Sequence, residues 1–191
     1  MTSKTPFTGD VEADELLSGD PLALLIGMLL DQQVPMEWAF RGPYELKQRL
    51  GRLNATDIAA MDPERVREVF SAKPALHRYP ASMGGRVHDL CVFIVERYDG
   101  QPERIWTETT SAEDLYARLR ELPGYGEQKT KIFLAILGKR LGVAPAGWEG
   151  LAGPYGEPGH RSIADVDGPG AVDKVRAYKQ DMKAKAKAAR G

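Results

Sequence analysis

Apolar residues recur along most of this chain at the three-to-four-residue period of helices, and no stretch alternates in the two-residue manner of a strand. The pattern predicts an all-α protein. In DPLALLIGMLLDQQ, Asp20 is placed to cap a helix, Pro21 to occupy its first position, and the nearly unbroken apolar run to be buried on most sides. Pro35 stops that helix and leaves Asp31, Gln32 and Gln33 at its end, where they can face a cleft. A second helix is expected in MEWAFRGPYELKQRLG, and Asn54 or Thr56 and the Asp62-Pro63 pair mark two short helix starts. Val87, Leu90, Cys91, Ile94, Val95 and Tyr98 form the inward stripe of a longer helix that Gly100 ends. Ser111 opens another with a capping box.

Residues 1–10 read as a flexible N-terminal tail, and 11–191 as a single helical domain. Glycine and proline crowd into 143–170 without a helical period, which predicts a long functional or mobile loop. Residues 171–191 predict a basic helix fraying into an Ala/Lys tail that faces solvent or DNA.

Charge adds little to this picture: 26 Lys and Arg nearly balance 27 Asp and Glu, so any surface for a polyanion must be local. The lone cysteine, Cys91, excludes an intrachain disulfide framework and any cysteine-ligated cluster from this chain alone, and LCVFIV suggests a buried thiol. His77, His88 and His160 lack metal spacing, and no cofactor is expected. No apolar run suits a signal peptide or a membrane span, so a cytoplasmic monomer with no membrane partner is the expectation.

One segment carries more specific chemistry. ELPGYGEQKTKIFLAILGKR breaks a helix sharply at Pro123, Gly124 and Gly126 beside the start of the next. Such a hairpin leaves the amides around Gly124, Tyr125 and Gly126 at a positive helix N-terminus, where a phosphate can dock, with Lys129 and Lys131 adding charge. The plain alternative is a tight connection between two packed helices.

LPGYG and its flanks resemble the helix-hairpin-helix motif of the DNA glycosylase superfamily that includes endonuclease III, MutY and AlkA, and LALLIGMLLDQQVP resembles an early helix of the same superfamily. The resemblance covers roughly residues 15–143. It implies a two-lobed helical bundle that binds double-stranded DNA in base-excision repair, with Gln33 as the wedge filling the place of an extruded base and Gln32 beside it. Two departures limit what it implies about chemistry. Gln128 stands at the Schiff-base lysine position, and Lys129 lies about 100° further round a helix, so the resemblance points to a monofunctional glycosylase without lyase activity.

The family's aspartate is missing where APAGWEG places Ala146. Asp165 and Asp167 in SIADVD are the replacements if the Gly/Pro stretch is an insertion, with Glu149 a further option; both aspartates also suit helix capping. Trp148 in the same loop is a candidate for stacking a base, whereas Trp38 and Trp106 lie in helical or core-like contexts. The family's iron-sulfur cluster cannot form here. A protein that kept hairpin and wedge but lost the acid would bind DNA without catalysis.

Overall fold

Helix α2 (Pro21–Leu30) organises the molecule, because every residue from Leu22 to Leu30 is buried. Its Asp20 cap accepts hydrogen bonds from the Leu22 and Ala23 amides at 2.9 and 3.3 Å, as the sequence predicts. The computed structural model describes residues 3–191 and, among them, contains helices and no strand. Helices α1 (Val11–Gly19) and α3 (Met36–Leu50) pack on α2. The crossing with α3 is close: a Cβ on Gly27 would meet the Phe40 ring at 2.6 Å, and one on Gly42 would meet Leu30 at 2.6 Å. Glycine at these two positions sets the approach.

The remaining helices form two groups that α2 joins. In the first, α4 (Ala55–Ala60) and α5 (Pro63–Ser71) pack on α6 (Pro80–Tyr98). Asn54 and Asp62 cap the two short helices, and the turn after α6 runs through Asp99 and Gly100, both at positive φ. The expected stripe of α6 is buried at Val87, Leu90, Cys91, Ile94 and Tyr98, with Val95 half-buried. Burial pushes the Cys91 thiol up to about 12, so it serves as packing.

In the second group, α7 (Arg104–Thr107) leads to α8 (Ala112–Glu121), capped by Ser111, and then through the Pro123–Gly126 turn to α9 (Glu127–Ile136). A π-helical turn at Leu137–Leu141 prolongs α9 and ends at Gly142. No described helix is long and apolar enough to cross a membrane.

Two expectations are corrected here. Residues 1–2 of the expected tail lie outside the described residues, but 3–10 are held: Phe7 is fully buried edge-on to Phe40, 5.2 Å between ring centres. The Phe7 and Thr8 amides donate to the Asp14 carboxylate at 3.1 and 2.8 Å. The spacing of Phe7 from any periodic run hid this anchor. The Gly/Pro-rich 143–170 segment is likewise folded, with α10 (Trp148–Ala152), 3-10 turns at Gly153–Tyr155 and Ile163–Asp165, and buried Ile163, Ala164 and Val166 against α9. The basic helix is α11 (Ala171–Ala188), tied back to α3 by Arg176 and Glu37 at 2.5 Å.

Tyr125, 2% exposed, joins the hairpin to α2: its hydroxyl donates to the Leu25 carbonyl at 2.6 Å and its ring meets Phe133 edge-on. Tyr125→Phe removes that one bond, which costs about 1 kcal/mol, and thermal denaturation should show Tm lower by roughly 3 °C.

Candidate functional site

The carboxyl end of α2 has an unusual set of caps. Lys129, from the first turn of α9, donates through Nζ to the carbonyls of Met28, Leu29 and Asp31 at 2.5, 3.2 and 3.1 Å. His77 Nδ1 accepts the Tyr79 amide at 3.0 Å, so Nε2 carries the ring proton and bonds the Leu30 and Gln32 carbonyls at 3.0 and 3.1 Å. Orphan carbonyls at a helix end need donors, and side chains more than 40 residues away supply them here. Burial lowers the pKa of His77, in keeping with a neutral ring.

These caps hold the Asp31–Pro35 turn in place. Gln32 is pinned, its amide nitrogen donating to Leu29 O at 3.2 Å and lying 3.6 Å from Met83 Sδ. Gln33 is exposed and carries φ +58, a left-handed conformation uncommon outside glycine and asparagine. A strained residue at the tip of an overdetermined turn is a signature of functional geometry.

Beside this turn lies a cleft of about 590 Å3, walled by the end of α2, the first turns of α9, the Pro154–Tyr155 turn with Arg161, and α11. The structure therefore brings Gln32, Gln33, Gln128 and Lys129 to one place, from segments about 100 residues apart. Gln128 Nε2 donates to the Tyr155 hydroxyl at 3.0 Å across the mouth. Lys129, Arg161 and Lys179 face a single carboxylate, Asp31, so the lining is net positive. The size suits a small organic ligand.

Next to the cleft, Gly126 caps α9 without a side chain, and the amides of Gly126, Glu127, Gln128 and Lys129 meet no acceptor among the described residues. Gly124 has φ +82, and a Cβ there would strike Leu29 at 2.4 Å; around Gly126 nothing lies within 4 Å. The turn is thus seated on α2 with its unpaired amides open at Gly126, a geometry that suits an anion. Arg120 braces it by donating to Tyr125 O at 3.0 Å.

Several expected site residues turn out to be occupied elsewhere. The Tyr125 side chain points into the core, and Lys129 caps α2 instead of standing at the hairpin face. Lys131 pairs with Glu127 at 2.6 Å. Asp165 is spent on structure: its carboxylate accepts the Arg161 and Ser162 amides at 2.7 and 3.1 Å and meets Lys139 at 2.6 Å, with only 5% of its side chain exposed. Asp167 and Glu149 are exposed and do not line the cleft. Trp148 is no stacking platform; it is buried over the helix backbone, where a Cβ on Gly138 would meet its ring at 2.7 Å.

Asp31, expected with Gln32 and Gln33 at a helix end facing a cleft, does line it, although nothing in the sequence sets it apart from the two glutamines as the acid of the wall. Trp38, expected in a helical or core-like context, lies on α3, 42% exposed, with its ring 6.4 Å from His77.

Burial brings the Lys129 ammonium down from its ordinary 10.5 to about 8, while Asp31 pulls it upward. Between about pH 8 and 10.5 the unfolded chain keeps a proton that the folded protein has released, so this residue's contribution to stability rises with pH. Lys129→Met should lower Tm at pH 7 by roughly 5 °C through the uncapped carbonyls, and the gap to wild type should widen from pH 7.5 to 10. Melting curves at several pH values check both; a gap that stays flat would count against the buried ammonium.

Comparison with family patterns, curated proteins and solved structures found no match for this chain.

Proposed function

We propose that the protein binds double-stranded DNA and holds one extruded nucleotide in the cleft, as a base-excision-repair protein acting as a monofunctional DNA glycosylase. One observation carries the reading: an open hairpin amide face and a strained glutamine turn converge on the same positively lined cleft. The physical roles divide accordingly. The amides at Gly126 and the N-terminus of α9 take a backbone phosphate without reading sequence. Gln33, held at positive φ by the caps beneath it, fills the space an extruded base leaves. The exposed Lys183, Lys185, Lys187 and Arg190 on and just after α11 add sequence-independent charge.

The reaction assigned is hydrolysis of the N-glycosidic bond of a damaged or mispaired base. Gln128 at the cleft mouth, in place of an amine, favours hydrolysis over a lyase step. The positions of Asp165, Asp167 and Glu149 outside the cleft favour the second reading, a DNA-binding or damage-recognition protein without catalysis. Screening duplexes carrying uracil, alkylated or oxidised bases for base release separates the two.

Binding itself has a direct test. Log affinity for duplex DNA should fall with log salt at a slope steeper than about −2; salt-independent or absent binding sinks both readings. Gly126→Asp puts a carboxylate at an N-cap whose backbone is already extended, so it should raise Tm by about 1 °C. The same carboxylate occupies the free amides and repels phosphate, so duplex affinity should drop about tenfold or more. A variant that gains stability and keeps its affinity would remove the hairpin from the interface.

A further inference from the structure

We infer that Asp31 is the catalytic carboxylate of this cleft, the group that activates the water for base release. The inference rests on the glycosylase reading above and supplies what that reading lacks. Asp31 is the only carboxylate lining the cleft, on the wall shared by the Gln33 turn and the first turn of α9. Its backbone is held on both sides, with the amide donating to Met28 O at 3.2 Å and the carbonyl accepting from Lys129 Nζ at 3.1 Å. The carboxylate has no hydrogen-bond partner among the described residues, in contrast to Asp165, whose oxygens are consumed by two amides and an ammonium.

The location is costly for an anion. Asp31 sits at the carboxyl end of α2, where the helix dipole opposes negative charge, and the burial of its surroundings opposes it further. Burial pushes its pKa up from the ordinary carboxylate range and Glu37 adds to this, while Lys179 and Lys129 pull it back. A residue placed against its own stability, felt by the charges of Lys179 and Lys129 but ion-paired with neither, in the wall of a cleft has the properties of a working group.

The step balances without a cofactor. A water adds its oxygen to C1′ of the extruded nucleotide and passes a proton to the Asp31 carboxylate. The C1′–N bond breaks, its electron pair leaves with the base, and the base nitrogen takes a proton from solvent. The products are a free base and an abasic site, and Asp31 returns its proton to water. A carboxylate near the sugar also stabilises the positive charge that develops there.

The test uses labelled duplexes, each bearing one uracil, 3-methyladenine or 8-oxoguanine, with alkali-labile breaks measured in single turnover. The full chain should release at least one of these bases, and Asp31→Asn should lower that rate at least about 100-fold. Affinity of Asp31→Asn for a duplex with a tetrahydrofuran abasic analogue should stay within about threefold, and its Tm should rise by about 2 °C as the opposed charge is lost. The wild-type rate should fall in acid as the carboxylate takes up its proton, and Asp31→Glu should restore part of it.

Asp31→Asn cleaving within threefold of wild type would overturn the assignment, as would a lowered Tm with lost affinity, which marks a structural role. If wild type releases no base, the assignment fails while salt-dependent duplex binding still upholds the DNA-binding reading. If there is no duplex binding either, both fail together.

Discussion

The capping of α2 by Lys129 is the contact on which the rest of the site depends. A helix buried from Leu22 to Leu30 ends with carbonyls that have no partner further along the helix, so donors from elsewhere in the chain decide what packs against that end. One ammonium answers the Met28, Leu29 and Asp31 carbonyls, and His77 those of Leu30 and Gln32, so α9 and the segment before α6 are both drawn to the end of α2 and the turn after it. The hairpin therefore has little freedom relative to the Asp31–Pro35 turn. Tyr125 adds a second tie a turn further back along α2.

This arrangement gives the cleft its character. Because Lys129 is spent on carbonyls, it brings charge into the wall without projecting a free amine, and the positive lining comes also from Arg161 and Lys179 on later elements. Asp31 meets that lining as its one acid. The same geometry strains Gln33 into a left-handed conformation and leaves it exposed, while Gln32 beside it is fastened to Leu29. Two adjacent glutamines thus have different roles, one holding the turn and the other presented by it.

The Gly/Pro-rich stretch after Gly142 closes the far side of the cleft. Trp148 lies over Gly138 in the π-helical turn that prolongs α9, and Lys139 from that turn reaches Asp165. These contacts make a rigid wall from a segment with no periodic signal, because its order comes from single buried anchors. They also explain why Asp165 has no spare oxygen for a ligand: two amides and a buried ion pair already satisfy it.

Helix positions and their caps were legible from residue order, since Asp20, Asn54, Asp62 and Ser111 act on amides two or three residues away. The apolar run of α2, the stripe of α6 and the sharp LPGYG turn followed from local periodicity and from glycine's freedom at positive φ. The packing of Phe7, the inward turn of Tyr125 and the burial of Trp148 did not, because each depends on a partner far along the chain. The same is true of the cations of the cleft, Lys129, Arg161 and Lys179. Whether Lys129 meets a phosphate or a helix end, and whether Asp31 or Asp165 faces the cleft, depends on which carbonyls and cations arrive beside them. Local propensity determined the helices of this protein; long-range capping and burial decided which residues its cleft can use.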